Sequence, residues 1–295
     1  MGLKTFLLIL IIGLSSGVTL GAQYRFIDAS SGKQVSLEKL AAKLARYNVV
    51  FFGEYHDNAA IHQAQRDLLP HLYARDKRLT LSFEMFERDV QPLLNSYLKD
   101  EISEAAFLAE ARPWPNYETD YKTLVEFAKS NGLDALAANV PRRLAGMAVR
   151  AGKDFISTLD EQDRSYVAKE INAWEGPYKE NFLQTMAENA AHGGQMDAAF
   201  YDNMYLAQCV KDDTMAESLV DYWKRHPRQT ILHFNGDFHS RGFLGTVERA
   251  LSRAPRLKVA VISPLYGSAD LPTRETRIAN YFLVVPDPPE SEHSE

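Results

Sequence analysis

Short apolar segments recur along the chain and alternate with longer amphipathic ones. Each apolar segment is rich in β-branched and aromatic residues, which is typical of strands that are buried on both faces of a parallel sheet. The pattern therefore predicts an α/β fold, with a mainly parallel sheet flanked by helices. The predicted strands span residues 48–52, 79–83, 133–137, 230–234, 257–262 and 281–285.

Apolar residues at helical spacing predict helices between these strands. Ile61, Leu68 and Leu72 share one helical face, and Asn58 precedes them as a candidate N-cap. Two further helices are predicted over residues 121–130 and 241–253.

Residues 154–227 break the alternation, because more than seventy residues pass without a strand pattern. They are predicted to be helical throughout, with interruptions at 175–177 and 192–194, where glycine and proline occur. We interpret this segment as a helical insertion between two sheet-forming halves of a single domain.

The N-terminal residues have the features of a secretory signal peptide. Lys4 precedes the apolar run FLLILIIGL, and small residues follow up to Ala22. The run is well short of the ~20 residues that a membrane-spanning helix needs. We therefore predict a cleaved signal over residues 1–22, a domain over 23–285, and a disordered, acidic, proline-rich tail over 286–295.

Cysteine content and charge narrow the class of protein. Cys209 is the only cysteine, so neither a lipoprotein attachment site after the apolar run nor an internal disulfide is predicted. Cys209 itself is expected to be a small buried side chain. With a net charge of −6, no nucleic-acid partner is expected. A periplasmic protein is predicted, and a membrane anchor is less favoured.

Polar residues cluster where the predicted strands end. Two similar motifs, Gly53-Glu54-Tyr55-His56 and Gly236-Asp237-Phe238-His239, follow separate strands, and Glu84 ends another. Because ligands bind outside the carboxyl ends of parallel strands, these side chains are predicted to share one site. His233, inside a strand, is instead expected to be a satisfied core residue.

Three kinds of chemistry fit Glu54, His56, Glu84 and His239. Imidazoles and carboxylates suit a divalent metal such as zinc or manganese. The same groups can form a general acid–base pair, or a hydrogen-bond network that only ties loops together. Spacing alone does not decide among these three.

Several sequence blocks, in order, are similar to the ChaN family of haem-binding proteins. They include GEYHDNAAIHQAQRDLL, LSFEMFERDVQPLLNSYL, AANVPRRLA and ILHFNGDFHSRGF, and the resemblance spans about residues 45–265. It implies an envelope protein of haem or iron acquisition, with haem as ligand and a homodimer or haem-transport components as possible partners. The wider group, with Tiki, TraB and erythromycin esterase-like proteins, shares the paired motifs. A metal-dependent hydrolase or peptidase is therefore the alternative.

Haem needs an apolar slot, an axial ligand and often cationic side chains for its propionates. The helical segment offers ligands and aromatic rings, although such residues at helical spacing are more commonly core. His192 and Tyr178 are the best predicted ligands, because helix breaks expose side chains. Guanidinium groups suit propionate carboxylates. The predicted haem-site residues are His192, Tyr178, Tyr201, Tyr205, Met196, Arg142 and Arg143.

Overall fold

A computed structural model describes residues 24–190, 197–272 and 278–288. The predicted signal peptide, most of the predicted tail, His192 and Met196 lie outside the described residues. The strands form one sheet in the order β2-β1-β8-β7-β3-β6-β4-β5. Their bounds are β1 Arg25–Asp28, β2 Lys33–Val35, β3 Val49–Glu54, β4 Leu79–Glu87, β5 Ala135–Asn139, β6 Thr230–Gly236, β7 Val259–Tyr266 and β8 Tyr281–Val285.

The predicted α/β fold is confirmed. All six predicted strands are present as β3 to β8, and they pair with one another in parallel. β1 and β2 were not predicted and pair antiparallel at the edge of the sheet. These two strands have only four and three residues, too few for a periodic pattern to stand out.

Helices pack on both sides of the sheet. The bounds are α1 Leu37–Leu44, α2 Ala59–Arg75, α3 Gln91–Leu98, α4 Glu104–Ala111, α5 Lys122–Ser130, α6 Arg142–Ala151, α7 Glu161–Ser165, α8 Pro177–Ala190, α9 Ala198–Arg225 and α10 Thr246–Arg253. Successive residues of β3 point to opposite faces of the sheet. Phe52 joins the core under α1 to α5, whereas Phe51 joins the core under α9 and α10. Strands buried on both faces explain the continuous apolar runs in the sequence.

The helix predictions are confirmed in part. Asn58 caps α2, because its side chain accepts hydrogen bonds from two backbone N–H groups. The prediction for residues 241–253 was wrong at its start, since Gly242 and Gly245 have positive φ angles of 72° and 58° and α10 begins only at Thr246.

The helical segment before β6 is also interrupted more widely than predicted. Residues 166–176 contain no helix and cross α9, where the backbone N–H of Ala168 donates to Thr214 and that of Asn172 donates to Asp213. Buried polar side chains of α9 thus replace helical hydrogen bonds. Between β5 and β6, the described residues contain helices and turns but no strand.

Length and hydropathy distinguish the helices in the described part of the chain from membrane-spanning segments. There, no helix is both long enough and apolar enough to cross a bilayer. Cys209 is buried, as predicted.

Gly53 lies where the end of β3 touches the turn after β6. A Cβ at this position would lie 2.5 Å from Asp237 Oδ1 and 3.1 Å from the backbone oxygen of Ile262. We expect Gly53→Ala to destabilise the fold by about 1–3 kcal/mol, because backbone atoms must move. Urea denaturation measures this loss.

Gly146→Ala is the matched control, since the nearest atom to its added Cβ is a terminal nitrogen of Arg150 at 3.4 Å. In a helix, this change should be neutral or stabilising by up to about 1 kcal/mol. Equal effects of the two substitutions would contradict the close approach at Gly53.

Candidate functional site

The carboxyl ends of β3, β4 and β6 bring the four predicted strand-end residues to one edge of the sheet. Glu54 ends β3 and His56 follows it, Glu84 lies in β4, and His239 lies in a short 3-10 turn after β6. His56, Glu84 and His239 line a cleft of about 320 Å³, and Glu54 lies behind His56. The lining also includes Trp114, Asn139, Arg142 and Lys211.

The first histidine, His56, is held from below by a buried carboxylate. Its Nδ1 donates to Glu54 Oε1 at 2.9 Å. Glu54 also accepts hydrogen bonds from the Tyr121 hydroxyl at 2.6 Å and from Gln65 Nε2 at 2.7 Å. Three donors therefore satisfy this buried carboxylate and fix the orientation of the imidazole above it.

The second histidine, His239, is buried between two carboxylates. Its Nε2 lies 3.2 Å from Glu84 Oε1, and its Nδ1 lies 2.7 Å from Asp212 Oδ1. Asp212 comes from the middle of α9 and also accepts hydrogen bonds from the hydroxyls of Thr246 and Tyr178. Both ring nitrogens thus face anionic oxygens, which is the arrangement of an imidazolium ion.

The charges of Glu84 and Asp212 determine the protonation of His239. Burial alone lowers the pKa of His239, but the charges of Glu84 and Asp212 outweigh it and raise that pKa to about 10. Burial alone would raise the pKa values of Glu84 and Asp212. The charge of His239 outweighs burial, holds the pKa of Glu84 well below its usual range and lowers that of Asp212. The three groups form a carboxylate–imidazolium–carboxylate cluster.

His56 remains accessible, in contrast to His239. Its side chain is 39% exposed, and its ring packs edge-on against Trp114 with centroids 4.9 Å apart. A Cβ on Gly236 would lie 2.8 Å from His56 Nε2, so the glycine allows the edge of the imidazole to pack against the end of β6. Burial lowers the pKa of His56, but the hydrogen bond to Glu54 and the charge of Glu84 outweigh it and raise the pKa above its usual value.

The metal interpretation gains no support from this geometry. Within the described residues, no group of three or more His, Cys, Asp or Glu side chains is arranged to hold a metal ion. Glu54 accepts three hydrogen bonds, and both nitrogens of His239 face carboxylates. The metal-dependent hydrolase therefore gains no structural argument either.

The tyrosines predicted for haem lie in different environments. Tyr178 is buried, and its hydroxyl donates to Asp212 Oδ2 at 2.5 Å. Tyr205 is also buried and donates to the backbone oxygen of Trp174 at 2.7 Å. Tyr201, in the first turn of α9, is half-buried.

The two predicted arginines also differ from each other. Arg142 lines the strand-end cleft, and its backbone N–H donates to Glu87. The guanidinium of Arg143 binds both carboxylate oxygens of Asp163. The structure therefore brings Arg142, but not the Arg143 ion pair, to the rim of the cleft that His56 lines.

Several site residues were missed by sequence reasoning. Trp114 and Lys211 line the cleft and Asp212 holds His239, although all three lie far along the chain from the residues that they approach in the fold. The one usable signal was the adjacent acidic pair Asp212-Asp213 among the apolar residues of α9, both of which are fully buried.

Two other histidines support the site without lining the cleft. His62 is buried in α2, and its Nε2 donates to the backbone oxygen of His56 at 2.9 Å. His233 is buried as predicted and bonds Ser82 through Nδ1, but its Nε2 has no partner among the described residues. Burial lowers the pKa of His233 to about 3, so this ring is neutral.

The sheet and its strand-end cleft define an α/β protein with one candidate ligand site at the carboxyl ends of β3, β4 and β6. The chain belongs to the family described as haem-binding uptake, Tiki superfamily, ChaN, whose model matches residues 40–250. This confirms the family that the sequence blocks indicated. No curated protein matches the chain.

Solved structures agree with the fold. ChaN of Campylobacter jejuni, described as showing cofacial haem binding, is 17% identical with a TM-score of 0.70, over 90% of this chain and 97% of that one. The type III effector HopBA1 is 10% identical with a TM-score of 0.47, over 85% and 94% of the two chains. The erythromycin esterase EreC is 11% identical with a TM-score of 0.47, over 89% and 83%. The TM-scores of the last two structures are below 0.5 and indicate only a distant likeness.

The raised pKa of His239 makes the stability of the fold depend on pH. The folded protein keeps this proton up to about pH 10, whereas an unfolded histidine loses it near pH 6.5. The stabilisation is complete below pH 6.5 and is lost as the pH rises towards 10, with a slope approaching ~1.4 kcal/mol per pH unit.

His239→Gln should therefore lower the free energy of unfolding and remove this slope between pH 6.5 and 10. Urea denaturation at several pH values measures both effects. His71→Gln, on the surface of α2, should keep the wild-type slope. An unchanged slope in His239→Gln would contradict the buried imidazolium.

Proposed function

We propose that this chain binds haem at the strand-end cleft and acts in haem or iron acquisition. The observation that carries the proposal is the accessible imidazole of His56, which shares a cleft with the guanidinium of Arg142 in a member of a haem-binding family. Haem is here a ligand or cargo, and no chemical step is assigned to it.

Two features of the cleft support haem binding, an anchored histidine and an aromatic wall, although Trp114 and Val140 are the only apolar residues of its described lining. An axial histidine needs one ring nitrogen towards the iron and its other nitrogen held by an acceptor. Glu54 holds Nδ1 of His56, and Nε2, which packs against Gly236, forms no hydrogen bond within the described residues. Trp114 supplies an aromatic wall next to that ring. These features favour His56 as the axial ligand among the described residues.

The ligands predicted in the helical segment differ from His56 in their accessibility. Tyr178 would have to give up its hydrogen bond to the buried Asp212 before it could reach an iron. Tyr201 is more accessible, at the start of α9. His192 and Met196 lie outside the described residues and stay proposals. Substitution of His192 or Met196 distinguishes a haem site on the α8–α9 connection from one at the strand-end cleft.

Titration with haemin, followed by the Soret band, tests this proposal. We expect saturable binding by the wild-type protein and at least about tenfold weaker binding, with an altered Soret band, in His56→Ala, because the loss of a ligand is at least as severe as the loss of its supporting partner. His71→Ala is the matched control and should bind as the wild type does.

Two results would contradict the proposal in different ways. The absence of saturable haemin binding by the wild type would exclude haem binding itself. Wild-type behaviour of His56→Ala, together with weak binding by His192→Ala or Tyr201→Phe, would exclude the strand-end cleft as the site.

Export forms part of the proposed role, because a haem-uptake protein of the cell envelope has to leave the cytoplasm. We expect expression of the full chain in a bacterium to yield a periplasmic product that begins near residue 23. Cell fractionation and intact-mass measurement check both points. Lys4→Glu together with Leu8→Arg, which interrupts the apolar run, should leave the uncleaved chain in the cytoplasm. A cytoplasmic wild-type product would contradict export.

A further inference from the structure

A groove lined by arginines lies beside the strand-end cleft. It has a volume of about 620 Å³, and its lining consists of Glu87, Asp89, Arg112, Arg142, Arg143, Gly146 and Arg150. Within the described residues, this lining contains no apolar side chain. The groove therefore suits a hydrophilic ligand, since it offers no apolar surface to an acyl chain or an aromatic ring system.

Two of the four guanidinium groups are already held by carboxylates. Arg112 binds Glu87 and Asp89 at 2.9 and 2.7 Å. The guanidinium of Arg143 binds both carboxylate oxygens of Asp163. These ion pairs fix the two side chains, but they leave little of their charge for a ligand.

The other two guanidinium groups, those of Arg142 and Arg150, are available. Within the described residues, their side chains form no ion pair or hydrogen bond with a carboxylate, and both residues are exposed. Even with Asp163 counted, four arginines at the groove exceed three carboxylates, although the whole chain has a net charge of −6. The groove is thus a local positive region on an acidic protein, which attracts anions.

Helix geometry brings the two available guanidinium groups near each other. Arg142, Gly146 and Arg150 lie at four-residue intervals in α6 and share one helix face. A Cβ on Gly146 would lie 3.4 Å from Nη1 of Arg150, so the guanidinium of Arg150 covers this glycine. One helical turn, ~6 Å, separates the level of Gly146 from that of Arg142. An oxyanion held at about 2.8 Å by a nitrogen on each side fills a gap of this order.

We propose that the groove binds the phosphate group of a small, hydrophilic phosphomonoester between Arg142 and Arg150. Such a phosphate carries a charge of about −1.5 to −2 at pH 7 and has three acceptor oxygens, so it matches two guanidinium forks. A carboxylate has one charge and two oxygens and would satisfy only one fork. The site does not depend on haem binding, because neither arginine has to contact a haem for the phosphate to bind.

The size of the groove indicates that the ligand is more than a free phosphate ion. Its volume of about 620 Å³ is several times that of one phosphate group. The side chains that surround the remaining space are charged, and their N–H groups and carboxylate oxygens can bond hydroxyl groups. We therefore expect a body rich in hydroxyl groups, as in a phosphorylated sugar, and not a lipid.

Isothermal titration calorimetry of the full chain tests this inference, with glucose 6-phosphate as the probe and glucose as its uncharged counterpart. In buffer that contains about 0.15 M salt, which screens non-specific attraction, the wild type should bind the probe saturably and should not bind glucose. Arg142→Ala/Arg150→Ala should bind the probe at least roughly tenfold more weakly, since two charge-assisted contacts are lost at a partly exposed site.

Two further double variants separate the guanidinium forks from net charge. Arg46→Ala/Arg256→Ala removes two exposed arginines that precede β3 and β7, at the opposite edge of the sheet, and should bind the probe as the wild type does. Arg142→Lys/Arg150→Lys keeps both charges but loses the forks, so its affinity should lie between those of the wild type and the alanine variant. Circular dichroism of all three double variants confirms that they are folded.

Three results would overturn the assignment. One is the absence of saturable binding of the probe by the wild type, and another is an equal loss of affinity in the two alanine double variants. The third is binding of the probe only when it is presented as phosphatidic acid in vesicles, which would make the ligand a lipid. Haemin binding is measured separately, so its absence would leave this phosphate site standing.

Discussion

The site depends on one buried ion cluster, in which the His239 imidazolium lies between Glu84 and Asp212. The three residues come from β4, from the long helix α9 and from the turn after β6, so the cluster joins the sheet to the helical segment packed against it. Removing one charge from such a buried group leaves another uncompensated, which typically costs 3–5 kcal/mol. Tyr178 and Thr246 add hydrogen bonds to Asp212 and fix its position. The geometry of the cleft above therefore depends on this cluster.

The two similar histidine motifs consequently have different roles. Both nitrogens of His239 are engaged by carboxylates, which leaves this ring no lone pair for a ligand. His56 is held through one nitrogen only, and its other nitrogen packs against Gly236 without a hydrogen bond within the described residues. From this difference we infer that the His239 motif supports the site and that the His56 motif contacts the ligand. It also explains why the two motifs together do not make a metal site within the described residues.

The sequence predicted the parallel sheet, because strands buried on both faces are continuously apolar, and it predicted the shared edge for Glu54, His56, Glu84 and His239. It missed β1 and β2, which are too short for a periodic signal. It also missed Asp212 and Trp114, since their contribution depends on how α9 and the loop before α5 pack across the strand ends. Tyr178 was predicted at a helix break that exposes side chains, yet residues 166–176 fold over α9 and its hydroxyl lies buried against Asp212.

The position of iron in crystals of the haemin complex tests the central claim most directly. Diffraction data collected at the iron absorption edge locate that atom without assumptions about the ligand's orientation. Ligation by His56 predicts an anomalous peak in the strand-end cleft at ~2.0–2.1 Å from His56 Nε2, the usual length of a metal–imidazole bond. A peak beside Tyr201 or the α8–α9 connection, or ordered haem with no iron near His56, would contradict it.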